Sequence, residues 1–366
     1  PSIMGLEQLE LLGASISGVL GYSSTMYGLD VPIANLKPAL DIVANGIIEP
    51  LLLDEDIEIQ KQLRINQIKQ IIARPSSRST LALRQALIQP QYRAARLRPG
   101  SIETISRITG DDVRGFFHKH YHPEAATIVM SGDFTSSPAD DALDSFARWP
   151  RCSAPPPVHE KPQPLPQQAL LIDRPGSVQA DVRLGVFGID NNHPEIANLW
   201  AACYVMGGAF LSRLNRVLRE ERGFTYGVQM GNSPMRSGGL LSASASLRNE
   251  VVVEGISMMS EIMDITDKPF TAEEIQAAIN YASGSNPGHY QTALQLTDSI
   301  CGLVGLGLKP EFVSNFNEAL YRVTPEAASA TYAKFVHDPT LIVIGDAKLL
   351  AKPLQDAGWP VEVITD

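Results

Sequence analysis

Apolar residues fall into two rhythms along this chain, a three-to-four-residue spacing that predicts amphipathic helices and a two-residue alternation that predicts strands. Leu6, Leu9 and Leu12 open the first rhythm, and a helix is expected within the first dozen residues. The same spacing predicts helices around Leu36 to Val43, from Asp54 onward after Pro50, from Thr109 through Phe117, from His193 to Met206, from Ile256 to Ile265, from Thr271 after Pro269, and from Thr324 through Phe335. Short apolar runs predict strands at Thr127 to Met130, Ala169 to Ile172, Val178 to Ile189 and Leu341 to Ile344.

The informative junction is Leu218 to Val228. Leu211, Leu214, Val217 and Leu218 carry a helical face up to Gly223, a helix stop, and Phe224, Tyr226 and Val228 then alternate with Thr225 and Gly227 as a half-buried strand does. Arg219 is thereby expected on a last helical turn and Tyr226 on the following strand, both pointing into one cleft. An arginine near a helix C-terminus is favoured by the helix dipole whatever else it does, and strand tyrosines commonly belong to the core. A hairpin of Phe224 to Met230 with Leu240 to Leu247, Gly238 and Gly239 at its mouth, supplies the strand bearing Tyr226.

The chain repeats itself. Ile108-Thr109, a helix through Phe117, then Thr127 to Met130 and Gly132-Asp133 is echoed by Val323-Thr324, a helix through Phe335, then Leu341 to Ile344 and Gly345-Asp346. Upstream, the helix around Leu36 to Val43, Pro50 and the helix from Asp54 correspond to Ile256 to Ile265, Pro269 and the helix from Thr271. Before the shared region the second copy carries roughly forty further residues, two strands and a helix, that the first copy lacks. Between Trp149 and Gln168 stand Pro150, Pro155, Pro156, Pro157, Pro162, Pro164 and Pro166, the composition of a stiff linker. The expectation is an α+β protein of two homologous domains, residues 1–149 and 168–366, each an antiparallel sheet packed with helices. The first lacks its N-terminal portion, and a Pro-rich linker over 150–167 joins the two.

Composition narrows the chemistry. With 366 residues, 44% hydrophobic and 19% charged, the chain has ordinary globular content, and it contains no apolar run long enough to predict a membrane span. A formal charge of −10 argues against nucleic acid and anionic membranes and permits a preference for basic peptides. Arginine outnumbers lysine two to one, which suggests a GC-rich bacterial genome. No signal peptide precedes the first helix, so the chain is expected to begin inside a domain. Cys152, Cys203 and Cys301 are odd in number and far apart, which suggests neither a disulfide framework nor a thiolate zinc site. His118 and His122 have helical ligand spacing, with His120 and Glu124 nearby, but Pro123 ends that helix near His122 and makes surface histidines the simpler account. Gly207-Gly208 fits no phosphate loop, Ser212 has no Gly-x-Ser-x-Gly setting, and Asn192 ahead of His193-Pro194-Glu195 is expected to cap a helix.

Met206-Gly207-Gly208-Ala209-Phe210-Leu211-Ser212-Arg213-Leu214, followed by Leu218-Arg219-Glu220-Glu221-Arg222-Gly223-Phe224-Thr225-Tyr226-Gly227, resembles the second-domain hallmark of the pitrilysin family of metallopeptidases (M16), which includes mitochondrial processing peptidase. The resemblance extends through nearly the whole chain and implies that Arg219 and Tyr226 form a substrate-binding pair that also stabilises the transition state. The family's catalytic domain carries zinc on His-x-x-Glu-His, and no such string occurs here. Its third ligand and a second acidic position seven residues earlier fall on Gln67 and Gln60, with Glu55 and Glu58 nearby if the alignment slips by a turn. Glutamine is a poor zinc ligand, so the chain is expected to hold no metal.

The resemblance therefore implies the zinc-free subunit of an M16B-type heterodimer, completing the site of a zinc-bearing partner that hydrolyses peptides or unfolded polypeptide, with a periplasmic home favoured over a cytoplasmic one. The alternatives are an inactive scaffold homologue, as the core subunits of respiratory complex III resemble, and a zinc peptidase whose metal motif is missing from this chain.

Overall fold

The computed structural model describes residues 3–135, 139–151, 159, 161–285, 288 and 290–365. In chain order the elements are α1 (Ile3–Leu11), β1 (Ser15–Leu20), β2 (Thr25–Asp30), α2 (Leu36–Ile48), α3 (Asp54–Ala73), α4 (Pro75–Leu87), α5 (Ile102–Arg107), α6 (Gly110–His120) and α7 (Ala139–Leu143). There follow β3 (Ala169–Asp173), β4 (Gln179–Gly188), α8 (Ile196–Cys203), a π turn (Tyr204–Gly208), α9 (Arg213–Asn215), a second π turn (Arg216–Glu221), β5 (Val228–Pro234) and β6 (Gly239–Arg248). The chain closes with α10 (Val252–Met263), α11 (Ala272–Ser285), α12 (Ala293–Gly305), α13 (Phe312–Tyr321), α14 (Pro325–Phe335), β7 (Thr340–Gly345), α15 (Ala347–Asp356) and β8 (Glu362–Thr365). The architecture is α+β with a mixed sheet.

Contacts divide the chain into two units, one of residues 1–68, 98–158 and 286–310, the other of residues 69–97, 159–285 and 311–366. In the first unit β1 and β2 form a two-stranded hairpin, and its helices include α2, most of α3, and α6. Thr109 and Asp112 close a capping box at the start of α6, satisfying amides that the helix itself leaves open. Arg114 ties α6 to the start of α3 by bonding Asp54 at 2.9 Å and Asp111 at 2.8 Å. A cleft of about 400 Å³ lies beside this staple, lined in part by Asp54, Glu58, Lys61, Asp111 and Arg114.

The second unit is built on a six-stranded sheet in the order β5-β6-β4-β7-β3-β8, antiparallel from β5 to β7 and parallel across β7, β3 and β8. Alternation along the central strands buries both faces. Leu171, Val182, Leu184, Leu341 and Val343 join a core with Leu199, Ile256, Met259, Ala278 and Tyr332. Leu170, Ile172, Ile342 and Ile344 face the other way, onto Ala82, Leu83, Ala86 and Leu87 of α4. That helix lies close against the sheet, because a Cβ on Gly185 would come within 2.6 Å of the Leu83 side chain. Ser79 of α4 donates a short hydrogen bond to Asp181 of β4, whose carboxyl burial pushes up in pKa against the opposing pull of Ser79 and Arg183. After α4, Leu165 donates to the Leu87 carbonyl and Pro164 bridges Ile88, so the end of the proline-rich stretch is paired to α4.

Three expectations need correction. Thr127 to Met130 forms no strand, although its echo β7 does; β7 is held between β4 and β3, whereas residues 127–130 pair with no strand among the described residues. The helix expected from His193 begins at Ile196, because Asp190 rather than Asn192 organises the approach, accepting from the Asn192 amide through its side chain and the His193 amide through its carbonyl. Tyr226 is not on a strand, for reasons that belong to the site. Cys152 and Pro155 to Pro157 lie outside the described residues.

Candidate functional site

The site is built on the return from the second π turn to β5, all within the second unit. A π turn adds one residue to the helical repeat, and such bulges are frequent at functional sites. Here the Arg222 amide reaches the Val217 carbonyl, the Gly223 amide reaches Arg219, and the Phe224 amide reaches back to Leu218 at 2.8 Å. Gly223 takes the left-handed conformation at φ 62° that this closure requires.

Asn215 fixes where the next strand begins. It is buried and uses both ends of its amide. Its Nδ2 donates to the carbonyls of Ala209 and Val228, each at 3.0 Å, and its Oδ1 accepts from the Val228 amide at 2.7 Å. Ser212 Oγ caps the same turn, accepting from the Asn215 amide and side chain. Upstream, Gly207 lies against β5 so closely that a Cβ would stand 2.5 Å from the Met230 Cβ, which accounts for the paired glycines as a close approach. Arg213 anchors the outside of the turn through a bidentate pair with Glu274 at 2.8 and 2.6 Å and donation to the Lys268 and Pro269 carbonyls. Burial opposes ionisation of Glu274, but the Arg213 hydrogen bonds prevail and hold its pKa below the usual glutamate value.

Because β5 starts at Val228, Tyr226 precedes it. Thr225 Oγ1 accepts from the Gly227 amide and donates to its carbonyl, a local turn that replaces strand pairing. The Tyr226 side chain is 95% exposed. Arg219, by contrast, is folded down, its side chain only 15% exposed. Its guanidinium lies over the Phe210 ring at 3.6 Å, Nη2 donates to the Phe210 carbonyl at 3.0 Å, and Nε donates to Glu220 at 2.8 Å. No hydrogen bond joins Arg219 to Tyr226 among the described residues; the pair shares one turn of chain, with one member fixed and the other open. Phe210 and Leu211, at 74% and 65% exposure, add an apolar rim, and Leu211 is one of the residues that the periodicity placed on a helical face. Phe210 and Glu220 were not singled out from the sequence, although Glu220 adjoins Arg219 and was visible as a candidate ion-pair partner.

The remaining candidates are dispersed. Gln60 is exposed, and Gln67 Oε1 accepts from Arg64 at 2.7 Å; neither neutral amide supplies the imidazole, thiolate or carboxylate that zinc takes. His118 and His120 lie on the last turn of α6, while His122, beyond the helix end, meets Glu124 at 3.2 Å. Cys203 is buried, its thiol pushed up to about 12 by that burial, and Cys301 is half-buried.

Residues 107–281 match the model of the peptidase M16 inactive domain. The chain is 23% identical to an uncharacterized zinc protease of Streptomyces coelicolor over 93% of its own length and 76% of the relative's. It is 24% identical to the non-peptidase homolog YmxG of Helicobacter pylori over 60% of its length, and spans 50% of that relative. The fold is shared with the crystal structure of a peptidase M16 inactive domain from Pseudomonas fluorescens, at a TM-score of 0.80 and 20% identity, covering 93% of this chain and 83% of that one. Segment match, sequence likeness along most of the chain and common fold together support the M16 family, with residues 107–281 matching the model of its inactive domain.

Proposed function

We propose that this chain is the zinc-free subunit of an M16B-type heterodimeric peptidase, offering Arg219 and Tyr226 to a substrate whose scissile bond is cleaved by a zinc-bearing partner. The observation that carries this reading is the turn itself: a buried asparagine clamp, a π closure and a left-handed glycine hold a guanidinium and a freely exposed phenol on one short loop. Both are donors. An arginine N–H and a tyrosine O–H suit carbonyl oxygens of an extended peptide and the oxyanion that develops as water adds to one of them. Backbone contacts of this kind carry little sequence preference, which fits peptides and unfolded segments as substrates. The neutral Gln60 and Gln67 support assigning the metal to the partner.

The naming of the Helicobacter relative as a non-peptidase homolog favours a second reading, an M16 homologue with no role in hydrolysis. One experiment separates the two. The chain is purified alone and together with a His-x-x-Glu-His protein encoded beside it, and zinc content and peptide hydrolysis are measured. The heterodimer reading expects neither in the isolated chain and both in the mixture. Zinc and activity in the isolated chain contradict it, and a mixture no more active than the partner alone favours the non-hydrolytic homologue.

A further inference from the structure

Arg219 is held by more contacts than a peptide grip needs, and the way it is held leaves a specific remainder. Nη2 is committed to the Phe210 carbonyl and to Glu220, the latter at 2.7 Å, and Nε is committed to Glu220. The plane of the guanidinium is further fixed by stacking on the Phe210 ring at 3.6 Å. Nη1 has no hydrogen-bond partner among the described residues. The site therefore presents one nitrogen, with two N–H groups, from a cation whose charge is already countered by a neighbouring carboxylate. Phe210, on which the guanidinium stacks, is exposed, as are Leu211 and Tyr226 on the same stretch of chain.

From this geometry we infer that Phe210 and Glu220 are positioning residues for Arg219, and that together they set the site's substrate class: internal peptide segments with apolar side chains, bound through a neutral carbonyl, in preference to peptides ending there in a carboxylate. A free arginine takes a carboxylate best, through two parallel N–H bonds from its fork. Here one edge of the fork is already occupied and a second carboxylate would meet the charge of Glu220. A neutral carbonyl needs one donor and meets no such repulsion. The apolar rim adds contact for uncharged side chains beside that carbonyl. The inference rests on Arg219 being a peptide contact, and its test is arranged to fail separately from that reading.

Binding is followed by fluorescence anisotropy, at physiological salt, with one labelled peptide of uncharged residues ending in phenylalanine, prepared as the C-terminal amide and as the free carboxylate. The full chain should prefer the amide. Glu220→Gln should narrow that preference by about tenfold, the worth of one charge-assisted hydrogen bond. Phe210→Leu should weaken the amide peptide several-fold, and Phe210→Tyr, which keeps a stacking ring, should restore it; a residue needed only for folding would not show this rescue together with an unchanged Glu220 effect. An unchanged preference in Glu220→Gln, or full binding by Phe210→Leu, overturns the inference. If Arg219→Ala weakens binding while those variants do nothing, the inference alone fails; if Arg219→Ala also does nothing, or the chain binds neither peptide, the peptide-grip reading falls with it.

Discussion

Asn215 does more to shape the candidate site than either residue that the sequence motif brings forward. Buried amides that satisfy several backbone groups at once leave costly orphans when removed. Here the Ala209 and Val228 carbonyls and the Val228 amide would all lose a partner. Asn215→Ala is therefore expected to destabilise the protein by about 2–3 kcal/mol, read as a lowered midpoint in urea unfolding, and to loosen the Tyr226 loop, read as faster amide exchange at Gly227 and Val228. A change under half that size with unaltered exchange would show that the clamp is dispensable. Arg219 and Tyr226 stood out in the sequence because the string around them resembles a family motif, since an arginine near a helix end and a tyrosine after it are ordinary on their own. The sequence did not make Asn215 legible, since its role depends on a strand thirteen residues later meeting a helix turn. The alternation Phe224, Tyr226, Val228 misled for the same reason: period two is also met by a turn, and Thr225 bonding to Gly227 ends the pairing before Tyr226.

At the level of elements, periodicity located most helices and, β8 excepted, the strands of the second unit to within a few residues, because each has one or two faces that must be apolar. α4 escaped notice, as did its role. Ala82, Leu83, Ala86 and Leu87 recur at the spacing of one helical face, yet nothing local says that this face covers the sheet surface presented by Leu170, Ile172, Ile342 and Ile344. Gly185 marks the contact. Gly185→Ala would place a methyl 2.6 Å from a Leu83 methyl and 3.1 Å from the Leu241 carbonyl, so the buried Leu83 side chain must repack or α4 must shift. The expected cost is about 1–3 kcal/mol, measurable by thermal unfolding, and Leu83→Ala in the same background should recover part of it by removing the clash. A double variant no better than the sum of the two single losses would contradict this account of how α4 docks. The π turns are equally invisible in the sequence, since they differ from α-helix by one residue of register and not by composition.

For the molecule as a whole, the order of elements repeats more fully than the sequence suggested. In the first unit α1, Gly13 at φ 69°, β1, β2, α2 and α3 follow one another; in the second, the π turn ending at Glu221, Gly223 at φ 62°, β5, β6, α10 and the helix after Pro269 do the same. The second copy extends this run into a six-stranded sheet and carries the arginine–tyrosine loop, while the first has, among the described residues, a two-stranded hairpin. With Gly13 paired to Gly223, the position of Arg219 is held in the first copy by Leu9, a buried apolar residue. On the proposed reading, Arg219 and Tyr226 on one unit and amides at the candidate metal positions make up half the parts of a hydrolytic site. The central claim is that Arg219 serves the chemistry of the other half. It is tested most directly by the turnover number of the mixed complex containing Arg219→Ala, assembled to the same extent as the unaltered complex. The account predicts a fall of about a hundredfold or more, as for loss of one preorganised donor at a developing oxyanion; an unchanged turnover number would contradict it.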